Sequence, residues 1–579
     1  MKIILATLHA KYIHASLSLP CLAAAGSGVP GTETVIHEFT VNEPCGDILR
    51  TLMEEDADLV AFSCYIWNVE QTLRIISDLK KLRPEIFVVV GGPEVSYTAE
   101  EFLLENKEVD CVVRGEGERT WRELLEVLAE RAGPRDLRGC LPAGIMMRLE
   151  GGIVASRQRS PLEDLDEIPS PFAMGLVDLK KPLVYYETSR GCPFSCAFCI
   201  SSLEKGVRSF SPGRIRDDLR LLMDREVALV KLVDRTFNYD ARRADDIWEY
   251  ILLQNRSTMF HFEISADLLT DQNLRTLSKA PPGMFRFEIG VQSVGEETLA
   301  RVSRKSDIDR LLANVRRLTE ETGVTVHLDL VAGLPGEDYP GFLRSLQRLF
   351  PLRPNHIQVE PLKVLKGSPM EEIARTENYA FSSRPPYKIL RTPKLSFTET
   401  GRIEDVARLL DLYFNSGRFS RSLDELEANA PLAEVFSSMA VFFREQGCLG
   451  QISLKEQFGI LRRFAWEFLP AAGYDGFLDA LCFDYCCVEY PSSGALPDFF
   501  PAGSPQGIGV VPRNLLAPFL RKLDAPEGSR VRAVSGRFRK DFSSRPAAEG
   551  FARLLFIYIS APGAGLSVHV CPWDEAIHT

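Results

Sequence analysis

The stretch Arg190–Cys199, with the sequence RGCPFSCAFC, decides how the chain around it is interpreted. It follows an apolar run that begins at Leu183 and spaces three cysteines as C-x-x-x-C-x-x-C: Cys192, Cys196 and Cys199. Three thiolates on one loop can converge on a small, soft metal centre. A structural zinc site needs four ligands and the next histidine is His261, so the spacing favours an iron–sulfur cluster with one open iron. Zinc with a remote fourth ligand is the alternative.

Short apolar runs alternate with helical patterns on the C-terminal side of this loop, as far as Leu365. Six predicted strands end at intervals of 25 to 44 residues, near Arg190, Asp234, Ser265, Gly290, Val331 and Glu360. Such intervals suit βαβ units. Consecutive units in one direction predict a partial, TIM-like (β/α)6 barrel with its chemistry at the C-terminal ends of the strands.

The residues before the loop show the same alternation, and the chain as a whole is predicted to be of the α/β class. Apolar runs predict four strands, at Lys2–Leu8, Asp58–Ser63, Phe87–Gly91 and Val109–Val113, and helices at Val69–Leu82 and Thr98–Leu104. This pattern indicates a doubly wound parallel sheet whose ligand crevice lies at the C-terminal ends of its strands. Residues 144–157 predict a hairpin around Gly151 and Gly152, followed by an acidic, proline-bounded linker at 162–171.

The last 200 residues have a different pattern. Helical periodicity covers Ile403–Ser416, Leu432–Arg444 and Leu454–Phe468, and β-rich runs follow at Arg530–Val534 and Phe551–Ser560. The predicted domains are therefore 1–135, a hairpin and linker at 136–181, the barrel at 182–375, and a mainly helical C-terminal domain at 376–579. Cys482, Cys486 and Cys487 lie in an apolar, aromatic segment that predicts core rather than a second cluster.

Composition limits the possible functions. Acidic residues outnumber basic ones by 79 to 68, and the net charge of −11 disfavours non-specific binding to nucleic acid or anionic lipid. No apolar run of about 18 residues occurs, so no membrane span is expected. The 13 scattered cysteines favour reduced thiols and a cytoplasmic location. Nine basic residues between Arg513 and Arg545 predict a solvated charged face, with an RNA or anionic-substrate surface as the alternative.

An ordered series of barrel motifs resembles the radical S-adenosylmethionine (SAM) superfamily: VDRTFN, HFEISAD, FEIGVQS, HLDLVAGLPGED and LKVLKGSPM. The N-terminal motifs FSCYIWN, VVVGGPEVSY and VRGEGE resemble the cobalamin-binding domain of one branch, which includes anaerobic magnesium-protoporphyrin monomethyl ester cyclase. The C-terminal region is similar to an uncharacterised domain that accompanies some of these proteins.

The resemblance implies a [4Fe-4S] cluster held by the three loop cysteines. SAM would chelate the open iron, and one electron would cleave SAM to a 5′-deoxyadenosyl radical. The residues implied in SAM binding lie in the cysteine loop and at strand ends: Phe198, Asp234, Thr236, Asn238, Glu263, Glu288, Gln292, Ser293 and Gly333. For any one carboxylate, a salt bridge with Arg235 or Arg286 is the alternative, and for Gly333 it is a simple strand-to-helix turn.

Cobalamin is the second cofactor that the resemblance implies. Its candidate contacts in the N-terminal domain are Tyr12, Ser63, Tyr65, Gly91 and Gly92. The stretch ATLHAKYIHASL lacks the D-x-H-x-x-G pattern of domains that bind cobalt through an imidazole, so cobalamin without a histidine lower ligand is expected. The alternative is a domain retained only for assembly or recognition.

The expected function is that of an anaerobic, oxygen-sensitive radical enzyme that acts on an unknown substrate. Its reaction would be methyl transfer, or radical oxidation or cyclisation, with electrons supplied by a reductant such as flavodoxin or ferredoxin. Two alternatives stay open: a non-catalytic iron–sulfur protein for electron transfer or sensing, and a tRNA-modifying radical SAM enzyme. RNA that copurifies and binds with a steep salt dependence would favour the last of these.

Overall fold

The structure is a computed structural model of the chain, and it describes residues 1–130, 137, 140–149, 152–204, 206–491, 497, 500, 508–520, 523, 529–560 and 565–573. These residues form two compact units. The first consists of Met1–Asp338, Leu352–Pro354 and Pro361–Phe397, and the second of Tyr339–Pro351, Asn355–Glu360 and Thr398–Thr579. Among the described helices, none combines the length and the apolar character that a membrane crossing requires.

The N-terminal part of the first unit is a seven-stranded sheet in the order β2-β1-β3-β4-β5-β6-β7. The strands are β1 Lys2–His9, β2 Glu33–Thr40, β3 Leu59–Ser63, β4 Phe87–Gly91, β5 Cys111–Val113, β6 Ile145–Leu149 and β7 Gly152–Ala155. Helices α1 Ser18–Gly26, α2 Cys45–Glu54, α3 Val69–Leu82, α4 Pro93–Ser96, α5 Ala99–Glu105 and α6 Glu118–Glu130 connect them. Strands β1 to β5 are parallel, and separate apolar cores cover the two faces, which confirms the doubly wound sheet.

Strand β2 is absent from the sequence prediction. It lies at the sheet edge, and Phe39 is its one fully buried residue, so it lacks the continuous apolar run that indicates an inner strand. The predicted hairpin is present as the antiparallel pair β6 and β7, with Gly152 in β7. Gly151 lies outside the described residues.

The barrel sheet follows, in the order β15-β14-β13-β12-β11-β8. Its strands are β8 Val184–Tyr186, β11 Leu229–Leu232, β12 Met259–Ile264, β13 Phe285–Gln292, β14 Thr325–Ala332 and β15 His356–Pro361. The helices of this region are α7 Pro212–Asp224, α8 Ala241–Gln254, α9 Asp271–Leu277, α10 Glu296–Arg301, α11 Ile308–Glu321, α12 Tyr339–Leu349 and α13 Pro369–Thr376. The six-stranded sheet confirms the predicted partial barrel.

The cysteine loop does not continue directly from the first barrel strand. A separate strand, β9 Ser189–Cys192, pairs antiparallel with β10 Gly206–Ser209. The loop that carries Cys196 and Cys199 therefore belongs to a small hairpin (the cysteine hairpin, Ser189–Ser209). A second small antiparallel pair, β16 Ala380–Phe381 and β17 Ile389–Arg391, follows α13.

The second unit combines helices with a four-stranded antiparallel sheet. The helices are α14 Phe397–Leu409, α15 Ser420–Glu427, α16 Leu432–Glu445, α17 Leu454–Phe468, α18 Ala471–Val488 and α19 Ala517–Leu520. The sheet order is β18 Gly509–Val510, β19 Arg530–Asp541, β20 Ala548–Ser560 and β21 Leu566–Pro572. Cys482 and Cys486 are buried on α18 against side chains of β19 and β20, and Cys487 packs beside them, so the prediction that they belong to the core is confirmed.

The basic segment Arg513–Arg545 is only partly described. Within it, Arg539 pairs with Asp475 and Asp479, Lys540 pairs with Glu425, and Arg545 pairs with Asp424, as an ion-paired face would. Residues 521–522 and 524–528 of the segment lie outside the described part of the chain.

Candidate active site

The cysteine hairpin is fixed by a close approach of its two strands. Cys192 lies opposite Gly206, and Arg190 lies opposite Arg208. Gly191 has φ of +92°, and a Cβ at this position would come within 2.1 Å of the Gly206 carbonyl oxygen. Only glycine allows this approach, so the strands meet immediately before the loop and define where Cys192 begins it.

Two of the three cysteines, Cys192 and Cys196, lie beside polar side chains of the barrel. Cys192 Sγ is 3.4 Å from Thr236 Oγ1, and Arg304 Nη1 is 3.6 Å from Cys196 Sγ. Cys196 is buried, and Cys192 and Cys199 are half-buried. Within the described ranges, no set of three or more His, Cys, Asp or Glu side chains has a metal-binding arrangement. The role of the three cysteines as cluster ligands stays a prediction.

A cavity of about 200 Å³ opens at the C-terminal ends of the barrel strands, beside the cysteine loop. This barrel cavity is lined by Phe194, Arg235, Thr236, Glu263, Ile264, Ser265, Glu288, Gly290, Gln292, Arg304 and Asp329. The structure thus brings together four residues predicted to contact SAM, namely Thr236, Glu263, Glu288 and Gln292.

The carboxylates of the barrel cavity have basic partners, although not those expected from the sequence. Lys231 Nζ lies 2.9 Å from a Glu288 oxygen and 3.6 Å from a Glu263 oxygen, and His261 Nε2 lies 3.0 Å from Glu288. Burial opposes ionisation of Glu288, but the hydrogen bond from His261 and the charge of Lys231 outweigh it and lower its pKa to about 2. Burial raises the pKa of Glu263. Neither Arg235 nor Arg286 forms these salt bridges.

Gln292 is held in a strained conformation that directs it into this cavity. Its φ is +70°, and strand β13 has a register shift between Gly290 and Gln292. A Cβ at Gly290 would lie 2.2 Å from Gln292 Nε2, so this glycine makes room for the amide. A non-glycine residue at positive φ costs on the order of 1–3 kcal/mol and is typical of functional sites.

Gln292 Oε1 and Arg304 Nε are buried in the lining of the barrel cavity, and neither atom has a hydrogen-bond partner within the described part of the chain. The rest of the Arg304 guanidinium donates to the Gly290 carbonyl at 2.5 Å and stacks on Phe194 at 5.5 Å. Buried polar groups are normally paired, so these atoms suit a polar ligand that completes their hydrogen bonds.

Arg304 and Asp329 line the barrel cavity but are not among the residues predicted from the sequence. Arg304 comes after the short helix α10, in a segment without a strand pattern that could have indicated it. Asp329 could have been found, because the alternation in β14 places it on the same face as Thr325, His327 and Val331.

Five of the predicted SAM contacts do not line the barrel cavity. Asp234 is fully buried and accepts hydrogen bonds from Thr188 and Ser189, and Asn238 exchanges two hydrogen bonds with the Ser265 backbone. These polar side chains satisfy the backbone and hydroxyl groups of neighbouring turns, including the turn that leads into the cysteine hairpin.

The other three have equally local partners. Ser293 donates to Glu337 at 2.6 Å, and Phe198 packs on an apolar cluster. Gly333 has φ of +90°, and a Cβ there would meet Ile389 at 2.0 Å. Its geometry is that of a packed turn.

A second group of predicted residues meets at the crevice of the N-terminal sheet. Ser63, Tyr65, Gly91 and Gly92 line a cavity of about 130 Å³, which we name the crevice cavity. It lies where β3 and β4 end, as expected for a doubly wound sheet. Gly92 has φ of +105°, and a Cβ there would lie 2.6 Å from the Cys64 carbonyl oxygen. Tyr12 does not line this cavity, and its side chain is 70% exposed.

Both histidines of the segment after β1 have partners away from the crevice cavity. His9 Nε2 lies 3.0 Å from a Glu38 oxygen, and His14 Nδ1 lies 2.8 Å from the Tyr185 hydroxyl. His14 also forms a parallel bridge with Leu183, just before the first barrel strand. The expectation of cobalamin without a histidine lower ligand stays a prediction.

A third cavity, of about 610 Å³, connects the two regions within the first unit. This large cavity has one wall from the N-terminal domain, including Tyr65, Trp67, Gly92, Tyr97 and the loop Gly115–Glu118. The opposite wall includes Glu187, Arg190, Cys199, Glu204 and Arg235. Arg235 lines the barrel cavity as well, so these two cavities adjoin at its side chain.

Three family models match the chain. Residues 2–125 match the B12 binding domain, residues 186–349 the radical SAM superfamily, and residues 377–507 a protein of unknown function, DUF4080. The chain combines a B12-binding domain with a radical SAM domain. This confirms the resemblance and the predicted cofactor classes at the level of the matched domains. The bounds of the four predicted segments stay predictions.

The relatives that the chain resembles include enzymes of two kinds. The chain is 27% identical over 401 residues to 2-(S-pantetheinyl)-carbapenam-3-carboxylate methyltransferase of Streptantibioticus cattleyicolor, covering 63% of this chain and 54% of the relative. It is 23% identical over 319 residues to anaerobic magnesium-protoporphyrin IX monomethyl ester cyclase of Rubrivivax gelatinosus, covering 53% and 56%. The chain therefore spans little more than half the length of these relatives.

A solved structure shows the same fold. The cobalamin-dependent SAM radical enzyme OxsB, with aqua-cobalamin and SAM bound, aligns with a TM-score of 0.57 at 15% identity, covering 83% of this chain and 78% of that one. At this identity the likeness supports the fold alone.

Proposed function

We propose that this protein is a cobalamin-dependent radical SAM enzyme that transfers a methyl group to an unactivated carbon of its substrate. The observation that carries the proposal is the adjacency of two cavities with complementary character. A polar cavity with unpaired Gln292 and Arg304 atoms lies beside the cysteine loop, and it adjoins a larger cavity that reaches the B12-binding domain.

The residues present fit the implied cofactors. Cys192, Cys196 and Cys199 would hold a [4Fe-4S] cluster, and their loop presents no fourth thiolate. SAM would be held by Thr236, Glu263, Gln292 and Arg304. Glu288 would complete the lining of the same cavity. The walls of the crevice and large cavities around Ser63, Tyr65, Gly91 and Gly92 would hold cobalamin, while Asp234, Asn238, Ser293, Gly333, Phe198 and Tyr12 act at most through other residues.

Bound together, these groups would supply the chemistry for hydrogen abstraction from the substrate and for methyl transfer to it. The protein's own residues bind and orient them. Arg304 is a permanent cation with donors in a planar fork, which suits the carboxylate of SAM. Gln292 Oε1 offers an acceptor to a hydroxyl group. The aromatic pair Tyr65 and Trp67, stacked at 4.4 Å, lines the large cavity on the side of the N-terminal domain.

The substrate would lie near Arg235, where the barrel and large cavities adjoin. Methyl transfer is favoured by the methyltransferase relative, and radical oxidation or cyclisation, favoured by the cyclase relative, is the second candidate. Each turnover needs an electron from outside the chain, so we include flavodoxin or ferredoxin as the reductant. We also place the enzyme in an anaerobic cytoplasm, where the cysteine thiolates stay reduced.

The test is anaerobic reconstitution with iron, sulfide and hydroxocobalamin, followed by incubation with cell extract, reductant and SAM deuterated on its methyl group. A methyltransferase gives a product that carries the label, whereas a cyclase gives an unlabelled, oxidised product. If reduced protein with a full cluster produces no 5′-deoxyadenosine under any of these conditions, the electron-transfer alternative replaces this proposal. If the label enters tRNA, the tRNA-modifying alternative replaces the small-molecule substrate.

A further inference from the structure

The loop Gly115–Glu118, part of the VRGEGE motif, is joined to the cysteine hairpin by two bidentate ion pairs. Arg208 donates to the two Glu116 oxygens at 2.6 and 3.2 Å. Arg190 donates to the two Glu118 oxygens at 2.5 and 3.2 Å. The loop therefore holds one arginine from each strand of the hairpin.

These pairs are largely removed from solvent. The exposed fractions of the four side chains are 11% for Glu116, 10% for Glu118, 13% for Arg190 and 20% for Arg208. Burial alone would raise the pKa of Glu118, but Arg190 outweighs it and lowers that pKa. Arg190 has a further contact with Glu187 at 2.9 Å, and Arg208 has one with Glu204 at 3.4 Å, so loss of Glu118 or Glu116 leaves each arginine only partly paired. Loss of a partner from a largely buried pair is still far more consequential than loss of a surface salt bridge.

The position of the pairs connects the two cofactor regions. Arg190 precedes Cys192 by two residues and lies directly opposite Arg208 in the hairpin. On the other side, Gly115, Glu116, Gly117 and Glu118 all line the large cavity, which reaches the B12-binding domain. Glu116 additionally accepts a hydrogen bond from the Leu162 backbone at 2.9 Å, which anchors the loop to the segment before the barrel.

We propose that Glu116 and Glu118 are positioning residues that couple cobalamin binding to cluster binding by clamping Arg208 and Arg190. The inference rests on the proposed function, since it assigns cobalamin to the large cavity and the cluster to the cysteine hairpin. A ligand against the Gly115–Glu118 loop orders the loop and, through the two ion pairs, the hairpin. Linkage makes the effect reciprocal, so the assembled cluster tightens cobalamin binding by the same factor.

The test compares the double variant Glu116→Gln/Glu118→Gln with Glu123→Gln. Glu123 lies on α6, the helix that begins at Glu118, and its ion pairs are with Arg159 and Arg119, outside the hairpin, so it is a control for the loss of an ion-paired carboxylate. Two quantities are measured on the full-length protein: hydrogen exchange of residues 189–209 before reconstitution, and hydroxocobalamin affinity with and without the assembled cluster.

In the wild-type and Glu123→Gln proteins, we expect the cluster to tighten hydroxocobalamin binding by at least about fivefold, the lower end of typical coupling. In the double variant this factor should approach one, and the hairpin amides should exchange faster. The single variant Arg190→Lys, which keeps the charge but loses the bidentate geometry, should give an intermediate factor. Arg190→Lys also tests the coupling if the double variant does not fold.

The outcomes separate the two proposals. Equal hydroxocobalamin affinity with and without the cluster in the wild-type protein overturns the coupling and leaves the proposed function intact. If the coupling persists in the double variant at its wild-type strength, the role of Glu116 and Glu118 as positioning residues is overturned. Failure of the wild-type protein to retain a cluster and hydroxocobalamin overturns the proposed function, and the coupling with it.

Discussion

The barrel cavity and the crevice cavity are built from different parts of the chain. Charged and amide side chains line the barrel cavity, and Lys231 and His261 support one of its carboxylates from outside the lining. The crevice cavity is lined mainly by apolar side chains and by the backbone of glycines, with Gly92 in a conformation that other residues rarely adopt. The barrel cavity is suited to select its ligand by charge, and the crevice cavity by shape. Removing a charged side chain should therefore weaken ligand binding in the barrel cavity, and adding a methyl group to a glycine should weaken it in the crevice cavity.

The largest effect is expected from Cys192→Ala/Cys196→Ala/Cys199→Ala. Since three thiolates leave no redundancy, the reconstituted variant should hold no four-iron cluster and should not cleave SAM. Iron content, the visible absorption of the cluster and 5′-deoxyadenosine formation measure this. Hydroxocobalamin should still bind, weakened only by loss of the coupling. Cys45→Ala, at a half-buried cysteine of α2, is the control, and undiminished iron in the triple variant would contradict the assignment.

The next effect tests charge selection in the barrel cavity. Arg304→Met removes donors from buried positions next to Cys196 and Gly290, and should weaken SAM binding about 10- to 100-fold, as expected for hydrogen bonds to a charged group. Equilibrium dialysis of SAM against the cluster-loaded protein measures it. Arg301→Met breaks an ion pair with Glu377 nearby and should leave SAM affinity unchanged. An equal loss in both variants would mean that Arg304 acts only on stability.

The corresponding test of fit is Gly92→Ala. The new Cβ would lie 2.6 Å from the Cys64 carbonyl oxygen at φ of +105°, so the end of β4 must move, at a cost of about 1–3 kcal/mol in folding free energy. We expect hydroxocobalamin affinity to fall about tenfold or more while SAM affinity is retained. Gly28→Ala has a similar φ of +82° with no atom within 4 Å, and separates backbone strain from steric overlap. Unchanged hydroxocobalamin affinity in Gly92→Ala would remove the crevice cavity from the cofactor site.

The sequence allowed the doubly wound sheet to be predicted because the inner strands of that sheet are continuous apolar runs. Phe87–Gly91 and Val69–Leu82 have the predicted bounds, whereas the edge strand Glu33–Thr40, with its polar face, has no such signal. The separate cysteine hairpin was also missed, because strands of four residues provide too little periodicity to distinguish them from the end of a barrel strand.

The types of site residue and the strand ends that carry them could be predicted from the sequence, but the directions in which their side chains point could not. Thr236, Glu263, Glu288 and Gln292 line the barrel cavity, yet Asp234 turns towards Thr188 and Ser189 instead. Which polar side chain at a strand end faces a ligand depends on the hydrogen bonds of the adjoining turns, and those partners are distant in sequence. Arg304 illustrates the same limit, since its neighbours Cys196 and Gly290 come together only in the folded barrel.

The smallest effect is expected from two carboxylates, Glu187 and Glu288, whose pKa values are shifted in opposite directions. Burial raises the pKa of Glu187, in the large cavity, to about 7, against the charge of Arg190. The folded protein then holds this proton more tightly than the unfolded chain, so the contribution of Glu187 to stability decreases as the pH rises from about 4.5 to 7. Glu187→Gln should therefore stabilise the apoprotein more at pH 8 than at pH 5.

Glu288, whose pKa is lowered to about 2, stabilises the folded state above about pH 4.5. Glu288→Gln should therefore destabilise the protein at pH 7, and less so as the pH falls below about 4.5. Midpoints of urea unfolding between pH 3 and 8 measure both variants, with differences on the order of 1 kcal/mol per unit of pKa shift. If the two variants shift the midpoint in the same direction at pH 8, the carboxylates of the two cavities do not differ as their surroundings indicate.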